Sequence, residues 1–230
     1  MLQGVLSKKS VETRTSFSDE PMQSLPYAKE TLVMMMGYGL GCFTSGYYLV
    51  RWWTGDDIRL LGSGSVGATN VGRTLGKPGF FLTVTCDFCK GLLAVWLAEY
   101  FRVGATGTVL AMIAAAAGHV WPVQLWFRGG KGVATSLGAV LMFDYVIGGI
   151  FAVLFLALWG VLRNYVLAGL LAFAFTPLAL FVLDFPLNSV FGLSALALLI
   201  LVAHRRNIPD EIAKMTAGRK LKDDGPPLVK

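Results

Sequence analysis

Residues 132–162 read GVATSLGAVLMFDYVIGGIFAVLFLALWGVL, a continuous apolar run broken by one charge, Asp144. A helix that spans a bilayer needs about 20 consecutive apolar residues. The run is therefore either one long tilted helix or two helices meeting at Asp144, and that choice decides the topology. Working outward, further apolar stretches lie at 31–50, 79–101, 104–126, 165–184 and 187–203. With 132–143 and 145–162 counted separately there are seven.

The composition points to lipid as the main solvent. The chain has 230 residues, 55% hydrophobic and 15% charged, with a mean hydropathy of +0.61. Globular proteins average about 45–50% apolar and about 25% charged. These figures exclude a disordered chain and a coiled coil and argue against an ordinary soluble enzyme. The net charge of +6 does not imply nucleic acid as a partner, because Lys and Arg lie between apolar runs instead of on one soluble face. Cys42, Cys86 and Cys89 all fall inside apolar segments and give no disulfide framework. Cys86-x-x-Cys89 has a metal or redox spacing but no second pair beside it. There is no internal repeat and no inverted pair of broken helices.

Basic residues set the orientation. With seven crossings, the segments 51–78, 127–131, 163–164 and the chain after 203 share one side and hold 14 of the 20 Lys and Arg. The positive-inside rule places that side in the cytoplasm. The sequence predicts an all-α integral membrane protein, a seven-helix transmembrane bundle with its N-terminus outside and its C-terminus cytoplasmic. A polar, mixed-charge extension covers 1–30; it is too long and acidic to read as a signal peptide. The membrane-embedded domain covers 31–204, and a basic cytoplasmic tail covers 205–230.

Several constellations suit anion chemistry. The first runs from Gly62 to Arg73. Gly62, Gly64 and Gly67 let backbone N–H groups approach an anion, Ser63, Thr69 and Asn70 add neutral hydrogen bonds, and Arg73 offers a bidentate phosphate contact. Residues 62–67 also satisfy G-x-G-x-x-G, but a dinucleotide site needs a strand before it, and Asp87 lies in an apolar helix. The second constellation joins Gly118, His119 and Pro122 to Arg128, Gly129, Gly130, Lys131, Gly132 and Thr135, a basic glycine turn that opens a helix. Helix-end N–H groups and two cations would gather there around an anion. It is not a Walker A loop, since Leu125 replaces the first glycine and Gly132 the Ser/Thr after the lysine. The third is His204 with Asn207, which share a face if the last helix continues. Asp87 and Lys90 form an intramembrane i, i+3 pair, which reads equally as a functional site or as a mutually neutralised brace. Bland readings stand beside these: a glycine turn between helices, a snorkelling basic turn, and a basic helix end.

Together the motifs resemble the bacterial acyl-phosphate:glycerol-3-phosphate acyltransferase family across about residues 37–220. They are G-S-G-x-x-G-A-T-N-x-x-R at 62–73, D-x-x-K-G at 87–91, G-H-x-x-P at 118–122, G-G-K-G-V-A-T at 129–135 and H-x-x-N-I at 204–208. The resemblance implies a seven-helix membrane enzyme that moves a fatty acyl group from acyl phosphate to the 1-hydroxyl of glycerol 3-phosphate, giving lysophosphatidic acid for phospholipid synthesis. It also implies no metal, coenzyme or covalent serine, a site facing the cytoplasm at the bacterial inner membrane, membrane lipids as surroundings, and a monomer. Carried over, Ser63 and Arg73 serve the reacting phosphate, Lys131 an anion pocket, and His204 and Asn207 the glycerol phosphate. The proton acceptor is either His204 or the substrate's own phosphate. Ser65 stands where the family usually has Asn, Leu167 and Leu170 where it carries serines, and Pro209-Asp210-Glu211 replaces its usual Arg-Leu. A transporter or channel for a phosphorylated small molecule, or a catalytically silent lipid-binding relative, would use the same groups without turnover.

Overall fold

The computed structural model describes residues 27–223. Of the extension expected over 1–30, residues 1–26 lie outside the described residues, as does the tail beyond 223, and residues 28–30 belong to the first helix. Nine α-helices appear among the described residues: α1 (Ala28–Cys42), α2 (Ser45–Thr54), α3 (Ala68–Tyr100), α4 (Gly104–Val120), α5 (Val133–Phe143), α6 (Tyr145–Leu162), α7 (Tyr165–Val182), α8 (Leu187–His204) and α9 (Ile208–Asp223). Single 3-10 turns occupy Ile58–Leu60 and Val123–Leu125. Five helices are long and apolar enough to cross a membrane: α3, α4 with its extension to Leu125, α6, α7 and α8.

Asp144 divides the central run into two helices. Its backbone is extended (φ −161°), and its carboxylate accepts from the N–H of Val146 at 2.7 Å and of Ile147 at 3.4 Å, which caps α6. Its own N–H closes α5 on Val140 O at 3.0 Å. A side chain that satisfies two of the four orphan donors at a helix start makes continuing the helix unnecessary. Two other boundaries differ from expectation. The stretch 31–50 is not one helix but breaks at Phe43 and Thr44, between α1 and α2. The helix expected from residue 79 starts at Ala68 and bends at Gly76, whose φ of 73° is open to glycine. Thr69, Asn70 and Arg73 therefore ride on a helix, not in a loop.

Small residues bring the helices close. Gly37 and Gly41 on α1 face the carbonyls of Ala111 and Ala115 on α4, and Gly118 faces Tyr38 and Cys42, with no room for a Cβ. This is the small-xxx-small contact of membrane helices, where packing substitutes for a hydrophobic drive that lipid does not supply. Gly91 on α3 and Gly138 on α5 make the same approach to Thr135 O and Phe88 O. The main core joins α4 through α8 around Met112, Ile147, Phe173, Leu196 and Ile200. On the outside, α6, α7 and α8 expose Val153, Val161, Phe181 and Phe191. An exposed apolar belt of that extent is costly in water and suits hydrocarbon.

Candidate active site

The first nest is shaped by one side chain. Asn70, on the opening turn of α3 and 1% exposed, accepts from Ser63 N at 3.0 Å and donates to the carbonyls of Leu61 and Ser65 at 2.9 Å and Ile58 at 3.3 Å. It thereby substitutes for secondary structure in a loop that has none. Gly62 and Gly64 sit at positive φ, and at Gly62 a Cβ would strike the Asn70 amide. Ser63, Thr69 and Arg73 are left exposed around this knot, and Ser65 Oγ accepts from Gly67 N at 3.2 Å.

The second nest folds back onto the end of α4. Gly130 N donates to His119 O at 3.0 Å and Gly129 N to Val120 O at 3.1 Å. Gly132, at φ 77°, starts α5 while wedged between Val120 and Ile200, so the α5 terminus is pinned against α8. Arg128 is exposed and Lys131 is half-buried. Burial pulls Lys131 below the ordinary lysine value, the charge of Glu211 pushes it back up, and Arg73 and Lys214 lower it again. The Thr135 hydroxyl is fully buried and has no hydrogen-bond partner among the described residues.

The two nests share one end of the bundle. Val50, Ile58, Val66 and Val71 of the first pack with Leu125 of the second in a small separate core. Arg59, paired with Asp57 at 2.6 Å, donates to Leu125 O at 3.0 Å. His204 closes the third side. Its Nδ1 lies 2.8 Å from Ile200 O, one turn below. A carbonyl accepts only, so Nδ1 carries the hydrogen and Nε2 is the free acceptor. Ile200 also lies against Gly132 at the opening of α5, which brings His204 to the side of the second nest. The last helix does not continue past His204: residues 205–207 turn, with Asn207 N on His204 O at 2.7 Å, and α9 begins at Ile208. His204 and Asn207 are thus held together by a turn and not by a shared helical face.

Asp87, Lys90 and His119 lie deeper, 3–5% exposed. Lys90 Nζ is 2.9 Å from Asp87 Oδ1, 2.7 Å from His119 Nδ1, 2.9 Å from Phe43 O and 3.1 Å from Gly41 O. Ser45 Oγ donates to Asp87 Oδ1 at 3.2 Å.

A family model described as glycerol-3-phosphate acyltransferase matches residues 31–214. The chain belongs to the glycerol-3-phosphate acyltransferase family. Among the relatives of this acyltransferase family, glycerol-3-phosphate acyltransferase 1 of Desulfitobacterium hafniense (strain Y51) is 43% identical over 190 residues, 82% of this chain and 94% of that protein. The glycerol-3-phosphate acyltransferase of Jannaschia sp. (strain CCS1) is 43% identical over 80% of this chain and 89% of its own. The crystal structure of PlsY (YgiH), an integral membrane glycerol 3-phosphate acyltransferase in its glycerol 3-phosphate form, superposes with a TM-score of 0.73 at 33% identity, covering 81% of this chain and 93% of that one. The lysophosphatidic acid form of the same protein gives 0.71 at 32%. This chain is accordingly a multi-pass membrane protein of the acyltransferase family.

Two further polar residues near the candidate site of this acyltransferase-family chain were not singled out from the sequence. Asn164 caps α7, accepting from Val166 N and Leu167 N at 3.0 Å, and its amide donates to Glu211 Oε2 on α9 at 3.1 Å. Glu211 also receives Lys214 at 2.7 Å, and that bond holds its carboxyl below the ordinary glutamate value. An Asn directly before an apolar run is an N-cap signal, so half of its role was readable. Nothing local marks Glu211, which the fold delivers to the neighbourhood of Lys131.

Proposed function

We propose that this protein transfers a fatty acyl group from acyl phosphate to the 1-hydroxyl of glycerol 3-phosphate, releasing phosphate and lysophosphatidic acid. The meeting of the two nests and His204 at one end of the bundle carries the reading: Val66 and Val71 pack with Leu125, and Gly132 lies against Ile200, whose carbonyl holds His204. Two phosphate-bearing substrates need two anion pockets, and the two nests supply them. Ser63 and Arg73, with the hydroxyl of Thr69, hold the phosphate that leaves; the N–H groups of Ser63, Gly64 and Gly67, expected at the anion, are instead donated within the loop and shape it. Asn70 keeps that nest in shape. Lys131 and Arg128, with the α5 terminus that Gly132 opens and that carries Thr135, hold the other phosphate, and His204 and Asn207 orient the glycerol; the N–H groups of Gly129 and Gly130, expected at the anion, are instead spent on Val120 O and His119 O and fold the turn onto α4.

The hydroxyl oxygen attacks the acyl carbonyl carbon, a C–O bond forms, the acyl–phosphate C–O bond breaks and phosphate departs with the bonding pair. The hydroxyl proton passes to His204 Nε2, whose tautomer is fixed by Ile200 O. Acyl phosphate is already activated, so positioning and charge stabilisation are the main demands on the protein. The chain works as a monomer in the bacterial cytoplasmic (inner) membrane. It crosses seven times, with α1–α2 as a broken first span, the short α5 as another, the N-terminus outside and the site facing the cytoplasm.

The test is a transfer assay on purified protein with acyl phosphate, acyl-CoA or acyl carrier protein as donor. Acyl phosphate alone should release phosphate and lysophosphatidic acid, and Ser63→Ala or Arg73→Ala should abolish both. Flux of glycerol 3-phosphate into liposomes without turnover would instead identify a transporter, and binding without turnover a silent relative.

A further inference from the structure

The Asp87–Lys90 pair touches both nests without reaching either surface. Toward the second nest, Lys90 donates to His119 Nδ1 at 2.7 Å. His119 Nδ1 also lies 3.5 Å from Asp87 Oδ1, so this nitrogen faces both members of the pair and the far edge of the ring carries Nε2. That edge of the ring lies against Gly130, where a Cβ would run into Nε2. Toward the first nest, Lys90 binds Gly41 O and Phe43 O, and Asp87 binds the Ser45 hydroxyl. These contacts hold the α1–α2 break. The next residue, Gly46, lies so close to Val66 O and Val71 that no Cβ would fit. Chains of contact thus run from one ion pair to Val66–Val71 on one side and to Gly130–Lys131 on the other.

We propose that Asp87, Lys90 and His119 are positioning residues that fix the separation of the two anion nests, so that both substrates meet in reacting geometry. The inference rests on the acyl-transfer reading for its kinetic consequence, and on the structure alone for its geometric one. Misplacement by about 1 Å costs on the order of 10²-fold in rate, whereas an individually intact nest still binds its own phosphate. The effect therefore belongs in kcat and not in KM.

Removing one charge strands the other, so the informative variants are the neutral pair Asp87→Asn/Lys90→Met and the matched pair His119→Asn and His119→Leu. Asparagine keeps a polar group near the Nδ1 position but lacks the ring edge that lies against Gly130, and leucine fills similar space without any polar group. The double variant and His119→Leu should lower kcat by about 10²-fold with either KM changed by no more than about threefold, while His119→Asn, which keeps a partner for the ion pair, should fall less, by about tenfold. Spin labels at Thr74 and Arg128, in a background without the native cysteines, should give one narrow distance that broadens in the double variant and in His119→Leu. Equal kcat in His119→Leu and His119→Asn, or an unbroadened distance in His119→Leu, overturns the proposal; the latter variant also decides it if the double variant does not fold. A wild-type protein that binds both substrates without turnover defeats the acyl-transfer reading instead, and the label distances then decide the positioning role alone.

Discussion

The amide oxygen of Asn70 accepts from the backbone N–H of Ser63 at 3.0 Å, while its Nδ2 serves three carbonyls of the same loop. Each buried polar group left without a partner costs about 1–3 kcal/mol. Asn70→Ala strands several such groups at once. It should lower activity about 10²-fold or more, and deuterium exchange at residues 58–66 should rise even where the bundle stays folded. Asn70→Asp should behave alike, because a carboxylate cannot donate to Leu61 O and Ser65 O.

Lys131 should give the alkaline limb of the pH profile. Burial and Arg73 place its folded pKa below the ordinary 10.5, against the opposing pull of Glu211. The charge that holds an anion is then lost as pH rises through that lowered value, and KM for phosphate substrates climbs earlier than a free lysine would allow. The same sign means that the cost of burying the charge is fully present below the folded pKa and relieved above it. Lys131→Arg stays charged throughout and should flatten the limb, at some loss in kcat from its different shape. A limb unchanged in Lys131→Arg would assign it elsewhere.

His204→Ala should lower kcat by about 10²–10⁴-fold if Nε2 takes the hydroxyl proton. His204→Gln, which can accept near the Nε2 position but is not a base, should recover binding without recovering rate. A His204→Ala variant within about tenfold of wild type would move the proton to the leaving phosphate.

Gly41→Ala would set a methyl group against Ala115 O at the α1–α4 crossing. Overpacking of this kind costs about 1–3 kcal/mol, so the thermal midpoint in detergent should fall measurably. Gly39→Ala, which meets nothing within 4 Å, is the control.

The sequence carried the five long spans and the Asp144 boundary, because apolar run length and a capping carboxylate are local signals. The break between α1 and α2 left no such mark. It is held by Lys90, 47 residues away from Phe43, and a long-range hydrogen bond writes nothing into the hydropathy pattern. The early start of α3 was hidden because its first turns are polar and Gly76 hands the direction over to an apolar segment. Ser63, Arg73, Lys131 and His204 were visible as residue types in glycine-rich or helix-end settings. The roles of Asn70 and Glu211 depend on which carbonyls and cations the fold brings to them.

Arg73 and Lys131 must face one aqueous compartment if two phosphates are to meet between them. The direct measurement places a single cysteine at Arg73 or Lys131 in a background lacking Cys42, Cys86 and Cys89, and labels it with an impermeant maleimide in intact and in inverted membrane vesicles. Both positions should react in inverted vesicles and stay silent in intact ones. Reaction of the two positions from opposite sides would contradict the account.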